Sequence, residues 1–121
     1  MDSILNSIKG MLGPEEDYEG FDTDIIFHIN SALGILTQLG VGPEKGFRVR
    51  NAEDTWSEFI PAGRDDLEMV KTYVYMKVKL IFDPPTHAAA IEALKEQIKE
   101  FEWRLNAASE SKLTSSGEEE Y

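Results

Sequence analysis

The residues best equipped for chemistry in this 121-residue chain are two histidines, a few acidic runs and a scatter of basic side chains. His28 and His87 lie far apart, and neither has a second ligand at the spacing that sets two imidazoles on one helical face. A packing or capping role is expected of each. Asp65-Asp66 and Glu118-Glu119-Glu120 read as solvated acidic runs, not as a carboxylate pair held for acid–base work. Cysteine is absent, which removes disulfides, thiolate nucleophiles and cysteine metal sites and suits a reducing cytoplasm. No nucleophile motif and no glycine-rich phosphate loop stands out. The expectation is a protein with no catalytic residue, no metal site and no cofactor, and hence no enzyme.

Charge narrows the classes further. Twelve Lys and Arg stand against 23 Asp and Glu, for a net charge of −11. Phosphate backbones are held by clustered cations, and the only candidates for a basic face are Lys71, Lys77, Lys79, Arg48 and Arg50. Tight nucleic-acid binding is therefore not expected, although an acidic surface can stand beside DNA without adhering to it. No apolar run approaches the roughly 20 residues that a membrane helix requires. The first residues lack the basic-then-apolar pattern of a secretory leader.

Four helices have to position whatever these residues do. Ile4, Leu5, Ile8, Met11 and Leu12 make one stripe over 2–12, with Asp2 or Ser3 as its cap and Gly13-Pro14 as its stop. The anionic turn from Glu15 to Glu19 follows. Asp22-Thr23-Asp24 supplies an N-cap for a helix over 22–39, in which Ile25, Ile29, Ala32, Leu36 and Leu39 recur at helical spacing and Gly40 closes the end. A third helix over 65–82 has one face of Leu67, Val70, Val74, Val78 and Ile81 and a second of Met69, Tyr73, Met76 and Leu80. A helix apolar on most sides must be buried on most sides, and a partner chain is its expected cover. Asp83-Pro84-Pro85 stops it. The fourth helix, over 86–106, carries Ile91, Leu94, Ile98, Phe101 and Leu105 as a narrow seam. Glu96–Lys99 and Glu100–Arg104 are surface pairs worth about 0.2–0.5 kcal/mol each. Trp103 points away from that seam.

Two stretches escape periodicity. Residues 40–64 are broken by Gly40, Gly42, Pro43, Gly46, Pro61 and Gly63. They include the alternating Phe47-Arg48-Val49-Arg50 and a single helical turn at Thr55–Ile60. Long irregular connections are often functional, so Phe47, Arg48, Arg50 and Trp56 are candidate contact residues; the alternative is a loop pinned back by Trp56 and Phe59. Residues 107–121 are rich in Ser and Glu, and disorder is expected there. The chain thus reads as all-α: a four-helix bundle over 1–106 with a long 40–64 connection and a disordered C-terminal tail over 107–121. Met69, Tyr73, Met76, Leu80 and Trp103 are the expected subunit interface, because Met and aromatic residues are enriched where proteins meet.

The order of these pieces resembles a known family. Asp22-Thr23-Asp24-Ile25-Ile26-Phe27-His28-Ile29-Asn30-Ser31 is followed by Ile35-Leu36-Thr37-Gln38-Leu39-Gly40-Val41-Gly42 and Trp56-Ser57-Glu58-Phe59-Ile60. Val70 through Phe82-Asp83-Pro84-Pro85 and then Glu100-Phe101-Glu102-Trp103-Arg104-Leu105-Asn106 complete the pattern. Over residues 1–106 it is similar to the head-tail connector (adaptor) proteins of siphophages and Gram-positive prophages. The resemblance implies a virion neck protein, assembled in the host cytoplasm, that forms a ring of about a dozen copies beneath the portal. It implies as partners further copies of the chain, the portal protein and the next neck or tail-completion protein. Genomic DNA would pass through the lumen without specific binding, and no membrane is involved. By position alone it makes the tail, with Asn106, Leu113 and Tyr121, a portal clasp. The competing class is a small helical regulatory or binding module acting as a monomer or dimer.

Overall fold

The computed structural model describes residues 3–13, 19–60 and 67–119, with side chains described to Ala108. Five helices follow in order: α1 (Ile4–Leu12), α2 (Asp22–Gln38), α3 (Trp56–Phe59), α4 (Leu67–Phe82) and α5 (Ala88–Glu119). No strand occurs among the described residues, so the all-α reading stands. Ser3 caps α1, its Oγ accepting the Asn6 amide at 3.1 Å. Gly40, at φ +89°, ends α2 in the left-handed region that L side chains avoid, and Val41 N–H turns back to the Leu36 carbonyl at 2.8 Å.

The α2 start differs from expectation. Phe21 occupies the cap without a side-chain bond, and Asp22 lies inside the first turn. Asp22 turns its carboxylate to Lys9 of α1 at 2.8 Å, and the Lys9 side chain is 1% exposed. A cation buried to this degree requires such a partner, because an unpaired buried charge costs several kcal/mol.

Helix α4 is the centre of the molecule. It packs on α1, α2 and α5, whereas α2 and α5 lie on different flanks of it with little direct contact. Val70, Tyr73, Val74, Met76 and Val78 are buried, facing Ile25, Ile29, Leu33 and Leu36 of α2 and Ile4 and Ile8 of α1. The cover expected from a partner chain is therefore largely supplied by the subunit itself. Ile81 departs from its expected face and is 57% exposed, whereas the next residue, Phe82, packs on Phe21 at the start of α2 with ring centres 5.3 Å apart.

The irregular connection is folded back. Trp56 is fully buried, and its indole N–H donates to Ser7 Oγ at 3.1 Å while Lys71 lies 5.9 Å from its ring centre. Ser3 bridges to Thr55, and Ile4 N–H reaches the Asp54 carbonyl at 3.1 Å. The alternating 47–50 stretch pairs with no strand; a side chain holds it instead. Asn30 donates to the Val49 carbonyl at 3.0 Å and accepts the Val49 amide at 2.7 Å, supplying both bonds that a neighbouring strand would. At Gly42, φ +87°, an added Cβ would lie 2.5 Å from the Phe59 ring, so only glycine fits this turn. Residues 61–64 of the connection and the acidic turn at 15–18 lie outside the described residues.

The tail differs most. The fourth long helix does not stop near Asn106, and its backbone is helical to Glu119. Extending a helix that packing has already nucleated adds one hydrogen bond per residue, and Ala107, Ala108, Glu110, Lys112 and Leu113 are favourable helix formers.

Trp56→Ala opens a cavity among α1, α3 and α4 and removes the indole's bond to Ser7, whose hydroxyl keeps its bond to the Ser3 carbonyl. A loss of about 3–5 kcal/mol is expected in chemical denaturation of the variant.

Candidate functional site

Burial sorts the expected interface residues. Tyr73 is fully buried and Met76 is 4% exposed, so both belong to the subunit's own core. Met69 and Leu80 are half-buried against that core. Trp103 is 71% exposed. Tyr73 lies inside because its phenol finds a partner there: the hydroxyl donates to Glu102 Oε2 of α5 at 2.6 Å. Burial, together with the hydrogen bond to and the charge of Glu102, pushes the Tyr73 phenol far above the usual tyrosine range.

Among the long helices, α5 packs mainly on α4. Ile98 and Leu105 are buried, while Ile91, Leu94 and Phe101 are half-buried. The opposite side is open, and Glu92, Glu96, Glu100 and Trp103 fall within one outward stripe by helical geometry. Lys95, Lys99 and Arg104 flank this stripe and lie 3.9, 3.9 and 3.5 Å from Glu92, Glu96 and Glu100. Such exposed pairs contribute about 0–1 kcal/mol each.

The second exposed region lies on the outer side of α2, where the 45–50 segment crosses it. A groove of about 530 Å³ is lined by Thr23, Ile26, Phe27, Asn30, Ser31, Arg48, Val49 and Arg50. An adjoining one of about 720 Å³ reaches Lys45 and Phe47. Phe27, 67% exposed, stands opposite the buried stripe of Ile25, Ile29, Ala32 and Leu36. Arg48 and Arg50 are exposed because Val49 between them is turned inward by Asn30. Lys45, Arg48 and Arg50 have no carboxylate within ion-pair distance among the described residues, whereas Lys71 and Lys79 of α4 pair with Glu68 and Asp83. The five residues of the possible basic face are thereby divided between two elements. Phe47 leans on Phe59, with ring centres 5.9 Å apart, and Trp56 is internal, so of the four loop candidates only the arginines present themselves outward.

Helical spacing places Phe27 opposite the α2 core stripe, a signal that marks it as outward beside the arginines. Of the tail residues, Asn106 donates to the Leu39 carbonyl at 3.4 Å, tying α5 to the end of α2. Leu113 lies on the α5 backbone beyond the described side chains, and Tyr121 lies outside the described residues. His28 stacks edge-on against Phe27, and the His87 carbonyl accepts the Ile91 amide at the start of α5. The described residues contain no cluster of metal-ligand type and no helix long and apolar enough to cross a membrane.

Comparison with known proteins adds one finding: a family model described as phage connector protein matches residues 4–112. No curated protein and no solved structure matches the chain.

Trp103→Ala is expected to leave stability within about 0.5 kcal/mol, as for a surface residue. Tyr73 supplies a pH test. Its native pKa is raised, so its contribution is fully present below the unfolded tyrosine pKa of about 10 and falls as pH rises above it. Urea midpoints measured from pH 8.5 to 11 should fall more steeply for the parent than for Tyr73→Phe, by up to about 1.4 kcal/mol per pH unit.

Proposed function

The chain belongs to the phage connector protein family, a family of structural virion proteins, and from that premise we propose that it is one subunit of a head-tail ring seated beneath the portal. The family match over residues 4–112 carries this reading. The subunit is suited to it. Its core closes within one chain, so a copy can fold before it assembles, and the outward surfaces of α2 and α5 remain available for neighbours. A dozen copies would bring together on the order of −130 formal charges, a repulsion only partly screened over a Debye length of about 8 Å. Assembly on a pre-existing portal ring offsets that repulsion by holding each copy at a high local concentration. The same acidity keeps DNA from adhering to the wall of the lumen during packaging and ejection.

The portal contact is assigned to the end of α5. Beyond Leu105, the last described core residue, the helix continues for 14 residues to Glu119, a projection of about 21 Å at 1.5 Å per residue. Met69, Leu80 and Trp103 remain the interface candidates between copies, with Trp103 foremost for its exposure. The next neck or tail-completion protein would dock on the ring face away from the portal.

Sedimentation of heads that carry portal, mixed with the purified protein, should show about a dozen bound copies per head. One or two copies would favour a regulatory module. A chain truncated after Asn106 keeps Leu105 and should unfold within a few degrees of the parent. It should also lose most portal binding, and undiminished binding would assign docking elsewhere on the subunit.

A further inference from the structure

Among the described residues the two most exposed large apolar side chains are Trp103 at 71% and Phe27 at 67%, and they stand on different flanks of the molecule. Trp103 points away from α4 on the outer face of α5, and Phe27 points away from α4 on the outer face of α2. Their surroundings differ in charge. Trp103 shares its stripe with Glu92, Glu96 and Glu100, which Lys95, Lys99 and Arg104 flank, while Phe27 shares its groove with Arg48 and Arg50, whose guanidinium groups make no ion pair with a carboxylate of the described residues. One face is therefore aromatic with carboxylates, and the other is an open groove with an aromatic wall and two arginines.

A contact that repeats around a closed ring is heterologous: it joins two different patches on separate sides of the subunit, and these must be complementary. Resting on the ring reading above, we propose that Trp103 of one copy seats in the Phe27–Arg48–Arg50 groove of the next, with Glu96 and Glu100 opposite the two arginines. At about 530 Å³ the groove can receive an indole ring. A guanidinium over an indole face is attracted by the ring quadrupole, and Arg–carboxylate contacts around a central aromatic are the composition of a binding hot spot. The same pairing sets register between copies, because Glu96 and Glu100 exchange their exposed partners Lys99 and Arg104 for the arginines of the next copy. The Asn30–Val49 pair holds the arginines outward before any partner arrives, so the groove needs no rearrangement to bind.

The absence of cysteine makes the test direct. A Lys99→Cys, Ser31→Cys double variant, which leaves Trp103, Glu96, Glu100, Arg48 and Arg50 in place, assembled on portal-bearing heads and treated with a short bis-maleimide spacer, should give a ladder of covalent multimers extending to the full ring. Each single variant should remain monomeric on a denaturing gel. Separately, Arg48→Glu with Arg50→Glu should lower the number of bound copies at least tenfold, and adding Glu96→Arg with Glu100→Arg should restore it. A ladder that stops at dimer would show an isologous contact and overturn the pairing. Rings seen by electron microscopy for the double variant without any ladder would overturn the pairing while leaving the ring intact. If the unmodified protein forms no ring on portals, the ring reading and the pairing fall together.

Discussion

Helix α4 carries apolar side chains around most of its circumference, so most of its sides must leave water, and the other elements are arranged to meet that constraint. α2 covers one flank with Ile25, Ile29, Leu33 and Leu36, α5 covers another with Ile98 and Leu105, and α1 contributes Ile4 and Ile8. The remaining gap is filled by Trp56, Phe59 and Ile60, all buried, from a connection that has little secondary structure of its own. Polar ties hold this cover in place. The Lys9–Asp22 pair joins α1 to the start of α2, the Trp56–Ser7 bond joins α3 to α1, and Tyr73–Glu102 joins α4 to α5. Each is charged or sits beside buried surface, where an unmade bond is expensive.

The long connection takes its conformation from the same packing. Because Val49 is clamped by Asn30, Arg48 and Arg50 are displayed on either side of it along the outer face of α2. Asp54 accepts the Arg50 amide at 2.6 Å and shapes the following turn, so the arginine backbone is fixed as well. A segment without a strand partner thus has its Val49 amide and carbonyl paired as a neighbouring strand would pair them. On the opposite flank, α5 uses one narrow seam for the core and leaves its outward stripe free. In the ring we propose, this division would let the subunit close its core alone and still offer two surfaces to neighbours.

Helical periodicity made the four long elements legible, along with their stops at Gly40 and Asp83-Pro84-Pro85 and the outward direction of Trp103. It also indicated that α4 needed cover on most sides, but not whose side chains would supply it. A stripe of Tyr73 and Met76 reads equally well as an interface or a core; the partner Glu102, 29 residues away, decided for the core, and such a long-range bond leaves no local pattern. Lys9 was obscure for the same reason, because a lysine on the flank of an apolar stripe can reach water or be buried against Asp22, and only the placing of α1 beside α2 decides. The extent of α5 beyond Asn106 was obscured by composition: Ser and Glu lower the apolar content without preventing a helix already nucleated from continuing.

In the ring we propose, a monomer with a self-contained core becomes a subunit under the portal. Cryo-electron microscopy of DNA-filled heads bearing this protein would resolve that arrangement. A closed ring of about a dozen copies coaxial with the portal is expected, its outward α5 and α2 surfaces in mutual contact and its channel wide enough for duplex DNA. Isolated copies or dimers scattered on the head, with no ring density at the portal vertex, would contradict it.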